Sequence, residues 1–256
     1  MTRKALIRRP SPRIADGIVT HIERQPVDAG LALEQWDGYV RAMESAGWET
    51  IEVPGGEDFP DGVFIEDTMV AFGDVAVISR PGAEIRRDEV KAAEETVAGQ
   101  GYAIRRIEPP GTLDGGDVLK VGDTVYVRIG GRTNEEGVRQ LRDALAPEGA
   151  SVVAVPVTKV LHLKSAVTAL PDGTVIGYPP LVDDVSAFPR FLPVPEESGS
   201  HVVLLGDGTL LMSADCPRTV EQFAQLGYRP LTVDIGEFQK LEGCVTCLSV
   251  RLRGKG

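Results

Sequence analysis

The chain is poor in sulfur and imidazole, with three cysteines and three histidines in 256 residues. Three cysteines cannot all pair with one another, and Cys244 and Cys247 stand only three positions apart, so free thiols are expected rather than a disulfide framework. A basic excess is missing too. Lys and Arg number 27 against 38 Asp and Glu, a formal net charge of −11, which argues against a nucleic-acid partner. No apolar run approaches the roughly 20 residues that a membrane helix needs. The opening residues MTRKALIRRP hold no apolar stretch of signal-peptide length. These absences lead to the expectation of a cytoplasmic protein with no membrane partner. Disorder is excluded by what is present, because 42% hydrophobic residues are ample for a packed core. The acidity fits a cationic small-molecule substrate, and it fits plain solubility equally well.

A hairpin signature recurs along the chain: an apolar strand, a Gly/Asp turn, a second apolar strand and a polar exit. It appears as VFIEDTMVAFGDVAVISRP (63–81), DVLKVGDTVYVRIGGR (117–132), SAVTALPDGTVIGY (165–178) and HVVLLGDGTLLMS (201–213). A fifth copy is split, CVTCLSVRL at 244–252 ending it and KALIRRP at 4–10 beginning it. Helical segments follow at 33–47, 86–101, 135–149 and 218–227; the segment at 183–199 is interrupted by Pro189, Pro193 and Pro195. Short strands follow most of these, WETIEVP, YAIRRIE, ASVVAVP and YRPLTVD. Five small mixed units, with the last shared between the termini, predict a five-bladed pseudosymmetric α/β propeller that closes without an exposed strand edge. All of residues 1–256 are expected to form this single domain. The competing arrangement, a doubly wound α/β sheet, rarely contains the antiparallel pairs that Gly-Asp turns demand.

The chemistry-bearing residues fall at the beginnings of these units. DGVFIEDT (61–68), LDGGDVL (113–119), KVLHLKSAV (159–167) and EGCVTCLS (242–249) each place polar or reactive side chains where an apolar strand begins. In a closed array those points converge on one axis. Asp61, Glu66, Asp67, Asp114, Asp117, His162 and Cys247 are therefore expected to ring one pocket. Buried carboxylates are costly without partners, so such a ring expects a cation, and a guanidinium matches them through bidentate hydrogen bonds. Plain turn and cap roles suit Asp123, Asp172 and Asp207 in hairpin loops, and suit Glu66 and Asp67 poorly. A lone His or Cys in apolar surroundings is ordinarily structural, and only their coincidence with the acids lifts His162 and Cys247 above that reading. Cys244-x-x-Cys247 also resembles half of a zinc site or a redox pair. No second such pair exists, and a position inside the final strand would point Cys244 away from Cys247 by alternation.

With FIED, LDGGD, LHLKS and VTCLS in order across essentially its whole length, the chain resembles the dimethylarginine dimethylaminohydrolase family of the guanidino-group-modifying (pentein) superfamily. The resemblance implies a five-bladed α/β propeller and hydrolysis of Nω-methylated arginine to citrulline and a methylamine through a covalent S-alkylthiouronium. It implies Cys247 as nucleophile, His162 as general acid/base and Asp114 as the carboxylate that orients the histidine; some superfamily members carry Glu at that place. It further implies Asp61, Glu66 and Asp67 as holders of the substrate's guanidinium and amine, and Arg86 and Arg132 as holders of its carboxylate. Leu241 is implied as a main-chain contact to the amine, and Ile18, in DGIVTH, as a lid contact. No metal or organic cofactor is implied, and the partner is the small-molecule methylated arginine, bound by a monomer or homodimer. Arginine deiminase-like or other guanidino-group hydrolysis, and a non-catalytic cation-binding propeller, are the alternatives; the reactive thiol argues against the last.

Overall fold

The computed structural model describes residues 3–252. It builds five three-stranded sheets, each an antiparallel pair with a third strand added in parallel. The first unit joins β1 (Arg3–Ile7) through α1 (Ala29–Ser45) to β2 (Trp48–Glu52). The second comprises β3 (Met69–Phe72), β4 (Val75–Ile78), α2 (Val90–Gly99) and β5 (Ala103–Arg106). The third comprises β6 (Val118–Val121), β7 (Thr124–Ile129), α3 (Glu135–Leu145) and β8 (Ser151–Pro156). In the fourth, α4 (Leu163–Ala166) leads into β9 (Val167–Ala169), β10 (Val175–Gly177) and β11 (Phe191–Pro193). The fifth holds β12 (Val203–Gly206), β13 (Thr209–Ser213), α5 (Pro217–Gln225) and β14 (Arg229–Val233). After α6 (Gly236–Gln239), β15 (Val250–Leu252) returns to pair antiparallel with β1, Lys4 opposite Leu252 and Leu6 opposite Val250. The split unit therefore closes the ring, as a five-bladed propeller requires, and β1 is flanked on both sides.

The hairpins follow their turn chemistry. Phe72 pairs with Val75 and Val121 with Thr124, leaving two-residue Gly-Asp loops. At Asp207-Gly208 both residues are left-handed (φ 51° and 73°), as a type I′ connection demands. The parallel third strand of each sheet needs a crossover, and in four units an α-helix supplies it. Asp28 caps α1 by accepting the N–H groups of Gly30 and Leu31 at 2.8 and 3.0 Å. Ala32, Trp36, Tyr39 and Met43 then form its buried stripe. The helix begins four residues earlier than the 33–47 expected, because the cap lies ahead of the first large apolar residue. In the fourth unit the prolines leave only single 3₁₀ turns at Pro179–Leu181 and Val185–Ala187 before β11.

One expectation needs correction. The reactive residues do not sit within the first strand of each hairpin. A one-turn segment precedes each of these strands: Ile65–Thr68 before β3, Gly115–Asp117 before β6, α4 before β9, Ser198–Ser200 before β12, and a turn at 245–248 before β15. A strand sends alternate side chains to opposite faces, whereas a tight helical turn fans successive ones outward. That is how Glu66 and Asp67, adjacent in sequence, come to serve different partners. Around the axis β15 touches β3 and β6 touches β9, which brings the turns together. No helix among the described residues is long and apolar enough to cross a membrane.

Candidate active site

The converging turns enclose a cavity lined by Ile18, Asp61, Phe64, Asp67, Arg86, Arg132, Leu161, His162, Leu241, Glu242, Gly243 and Cys247. Its free space is about 20 Å³, room for little more than one water. As folded here the site is narrow, and admitting a larger ligand requires part of its wall to move.

His162 is the residue just ahead of α4 and is 4% exposed. Its Nε2 lies 3.1 Å from Asp114 Oδ2, and its Nδ1 lies 3.8 Å from Asp67 Oδ1. Burial by itself would lower the imidazole pKa, but the carboxylates of Asp67, Asp117 and Asp114 prevail and raise it to about 9. The ring is thus held as an imidazolium at neutral pH. Asp114 is fully buried; its Oδ1 accepts the Gly82 N–H at 2.9 Å, and Arg132 Nη1 stands 3.7 Å from its Oδ2. For Asp67, burial pushes upward, yet His162 and Arg86 hold its pKa down at about 2. Its Oδ2 accepts from Arg86 Nη1 at 2.6 Å and its Oδ1 from the Gly116 N–H at 2.8 Å. Gly116 is dictated by this close approach: a Cβ there would meet His162 Nδ1 at 2.6 Å and Asp67 Oδ1 at 2.7 Å.

Cys247 is 8% exposed and belongs to the turn before β15, whose far end is tied to α1 by Tyr39 Oη and Ser249 Oγ at 2.7 Å. Its Sγ lies 3.3 Å from Cys244 Sγ, contrary to the expectation that Cys244 points elsewhere. The turn is the reason, since strand alternation does not apply there. The hydrogen bond between the two sulfurs, with burial and the nearby carboxylates, holds Cys247 well above an ordinary thiol. The same bond lowers Cys244.

Of the seven residues expected to ring the pocket, Asp61, Asp67, His162 and Cys247 line it, with Asp114 directly behind His162. Asp117 does not reach it. That residue is fully buried, accepting the Thr133 hydroxyl at 2.6 Å and the Leu163 N–H at 3.2 Å, and burial raises its pKa to about 6. Glu66 does not line the pocket either, but lies beside Cys247, its N–H donating to the Cys247 carbonyl at 3.1 Å. Its Oε1 faces Lys164 Nζ at 2.6 Å and Arg251 Nη2 at 2.9 Å, while its buried Oε2 has no partner. Lys164 and Arg251 also line a second cavity of about 610 Å³ that Glu66, Asp67 and Cys247 do not line. Arg86 reaches the cavity with its guanidinium largely spent, on Glu89, on Asp67 and on the carbonyls of Asp61 and Phe64. By its donor inventory a single Nη1 N–H remains. That geometry makes Arg86 a support for Asp67 first. Arg132 is the more exposed of the two arginines, at 16% of its side chain against 5%.

Two carboxylates hold the segment around Ile18. Asp61 accepts the Ile18 N–H at 3.0 Å, and burial raises its pKa against the opposing pull of Arg86. Glu242 accepts the N–H groups of Thr20 and His21 at 2.6 and 2.9 Å, from a left-handed backbone (φ 62°). Phe64, Leu161, Glu242 and Gly243 escaped the sequence reading. Their sole signal was adjacency to singled-out residues, because a left-handed Glu has no sequence mark. Asp67, Asp114 and His162 also bring three possible metal-ligand atoms within 4.8 Å of one another. An imidazole with a raised pKa is a poor ligand there, since ligation requires the neutral ring.

No protein-family model matches the chain. It is 67% identical over 252 residues to the N(G),N(G)-dimethylarginine dimethylaminohydrolase of Streptomyces coelicolor, covering 98% of each chain. It is 37% identical to the protein of that name from Pseudomonas aeruginosa, covering 98% of this chain and 100% of that one. A cysteine-to-serine variant of the Pseudomonas aeruginosa enzyme, solved with citrulline, superposes with a TM-score of 0.91 at 36% identity over 98% of this chain and all of that one. The N-terminal domain of the cyanobacterial arginine dihydrolase ArgZ superposes at 0.89 with 19% identity, over 99% and 98% of the two chains, a likeness of fold alone. On sequence identity and fold together, the chain belongs to the dimethylarginine dimethylaminohydrolase family.

Proposed function

We propose that the chain hydrolyses Nω,Nω-dimethyl- and Nω-monomethyl-L-arginine to L-citrulline and the corresponding methylamine. The observation that carries this reading is one cavity in which the Cys247 thiol and an imidazolium at His162 meet buried carboxylates suited to a guanidinium.

The guanidinium carbon is a weak electrophile because resonance spreads its charge, so covalent catalysis divides the task into two displacements. Asp67 retains acceptor sites beside its two protein partners, and the unpartnered Oε2 of Glu66 is an acceptor awaiting a donor. Together they would hold the guanidinium with its carbon facing sulfur. Arg132, with the remaining N–H of Arg86, takes the substrate carboxylate, and Asp61 with the main chain at Ile18 and Leu241 takes the amine. Burial and the nearby carboxylates oppose ionisation of Cys247; the arriving cation offsets those charges, and the thiol releases its proton to solvent. The thiolate then forms a C–S bond, and His162 protonates the departing amine as the C–N bond breaks. The neutral ring next takes a proton from the attacking water, and the C–S bond breaks to release citrulline. Asp114 orients the ring throughout. No step calls on a metal or organic cofactor. The segment around Ile18 acts as the lid, which a cavity of about 20 Å³ requires to move.

We further propose that residues 1–256 work as a single catalytic domain, cytoplasmic in keeping with three free cysteines, and as a monomer or homodimer. The test is a citrulline assay on dimethylarginine, monomethylarginine and arginine side by side. Citrulline from the methylated substrates is expected; preferential turnover of arginine with ammonia release would reassign the chain as a deiminase.

A further inference from the structure

We propose that Cys244 is a peroxide-reactive thiol that captures Cys247 as an intramolecular disulfide, closing the active site reversibly. The two sulfurs already lie 3.3 Å apart. The Cys247 N–H donates to the Cys244 carbonyl at 3.0 Å, closing a turn in which the outer Cα atoms come within about 7 Å. Disulfides span Cα separations of about 4.4–6.8 Å, so the backbone is placed for the bond, and closure asks chiefly for the sulfurs to approach to about 2.0 Å.

The two thiols open onto different spaces. Cys247 lines the narrow substrate cavity, whereas Cys244 lines an adjoining cavity of about 420 Å³ together with His21, Ser165, His201 and Glu242, with Leu161, Glu242 and Gly243 as the shared wall. A small oxidant therefore meets Cys244 from the far side of that wall. The hydrogen bond between the two sulfurs, with His201 nearby, lowers the Cys244 thiol and favours its thiolate, the form that attacks peroxide. Cys216 is the internal contrast. It is fully buried, its thiol bonded to the Ser213 carbonyl, and burial raises its pKa to about 12, so it is inert in the same molecule.

The chemistry balances with hydrogen peroxide as oxidant. The Cys244 thiolate attacks one peroxide oxygen, the O–O bond breaks, and the departing hydroxide leaves Cys244 as a sulfenic acid. Cys247 sulfur then attacks the Cys244 sulfur, the S–O bond breaks, and the second hydroxide takes the Cys247 proton as water. The thiol pair loses two electrons, and the first hydroxide takes up the proton that Cys244 released on ionising, so the peroxide becomes two waters. The disulfide also shields both sulfurs from irreversible oxidation.

Loss of activity on oxidation rests on Cys247 being the nucleophile; formation of the disulfide does not. The experiment treats the full chain with hydrogen peroxide, maps its peptides by mass spectrometry without reduction, and follows citrulline formation before and after dithiothreitol. Wild type is expected to form the Cys244–Cys247 disulfide, to lose activity at least about tenfold and to regain it on reduction. Cys244→Ser and Cys244→Ala, each compared with its own untreated rate, should inactivate at least about tenfold more slowly and form no disulfide at Cys247. Oxidised wild type without that disulfide, or Cys244 variants that inactivate and recover like wild type, would overturn the proposal. A disulfide that forms while activity persists upholds the modification site and refutes Cys247 as nucleophile instead.

Discussion

Asp114→Asn isolates one charge at the centre of the site while keeping its volume. The Asp114 carboxylate has two commitments: Oδ1 accepts the Gly82 N–H at 2.9 Å and Oδ2 faces His162 Nε2 at 3.1 Å. An amide has one oxygen for those two acceptor positions. Aimed at Gly82, its NH₂ confronts the imidazolium N–H; aimed at His162, it confronts the Gly82 N–H. Either way the imidazolium loses the carboxylate charge, and a charge-assisted hydrogen bond of this kind is worth about 1.5–3 kcal/mol. At about 1.4 kcal/mol per unit, the His162 pKa should drop by about one to two units, from about 9 in the wild type. In the proposed mechanism His162 must be protonated to expel the amine, so the wild-type rate should decline only as pH rises through about 9. In the variant that decline should begin at correspondingly lower pH. The assay is kcat for dimethylarginine against pH, with the His162 ring titrated by NMR in parallel. Stability carries the same signature. A raised imidazole pKa contributes stability that is complete below the unfolded value near 6.5 and is lost as pH rises through about 9; the variant should lose it sooner. An unshifted limb and an unshifted ring pKa would show that Asp114 does not govern the histidine.

Cys247→Ser should abolish turnover while citrulline binding by calorimetry stays within about tenfold of wild type, because the hydroxyl fills the same place with far weaker nucleophilicity. Arg132→Ala should raise KM at least about tenfold with a smaller change in kcat, as expected of a contact to a non-reacting part of the substrate; an unchanged KM would place the substrate carboxylate elsewhere. Gly116→Ala should cost at least about tenfold in kcat/KM and lower the melting temperature, since its methyl carbon would lie 2.6 Å from the His162 ring. Normal kinetics and melting in that variant would mean that the loop yields freely.

Much of the architecture was legible because its physics is local. Gly-Asp turns between alternating apolar runs specify hairpins whatever surrounds them, and the split fifth unit became the β15–β1 pair. The apolar spacing of α1 and α3 marked helices, with boundaries shifted by caps at Asp28 and Asn134. Reactive residue types at equivalent points of the repeat indicated Asp61, Asp67, Asp114, His162 and Cys247. What misled was period: FIEDTMV and CVTCLSV read as strand starts, and the one-turn segments ahead of β3 and β15 are too short to carry a helical pattern.

Residue chemistry and turn propensity, written in order along the chain, thus sufficed for five repeating units, an axial site and a thiol–imidazole pair with acidic neighbours. Only the tertiary structure decided how those charges are allotted. Asp67 holds His162 and Arg86, Glu66 turns one oxygen to Lys164 and Arg251, and Asp117 retires into the core. It also brought Cys244 against Cys247. Such partnerships join residues far apart in sequence, or close in sequence but aimed by a turn, and their energies depend on distance and burial. Those quantities exist only once the blades have closed around the axis.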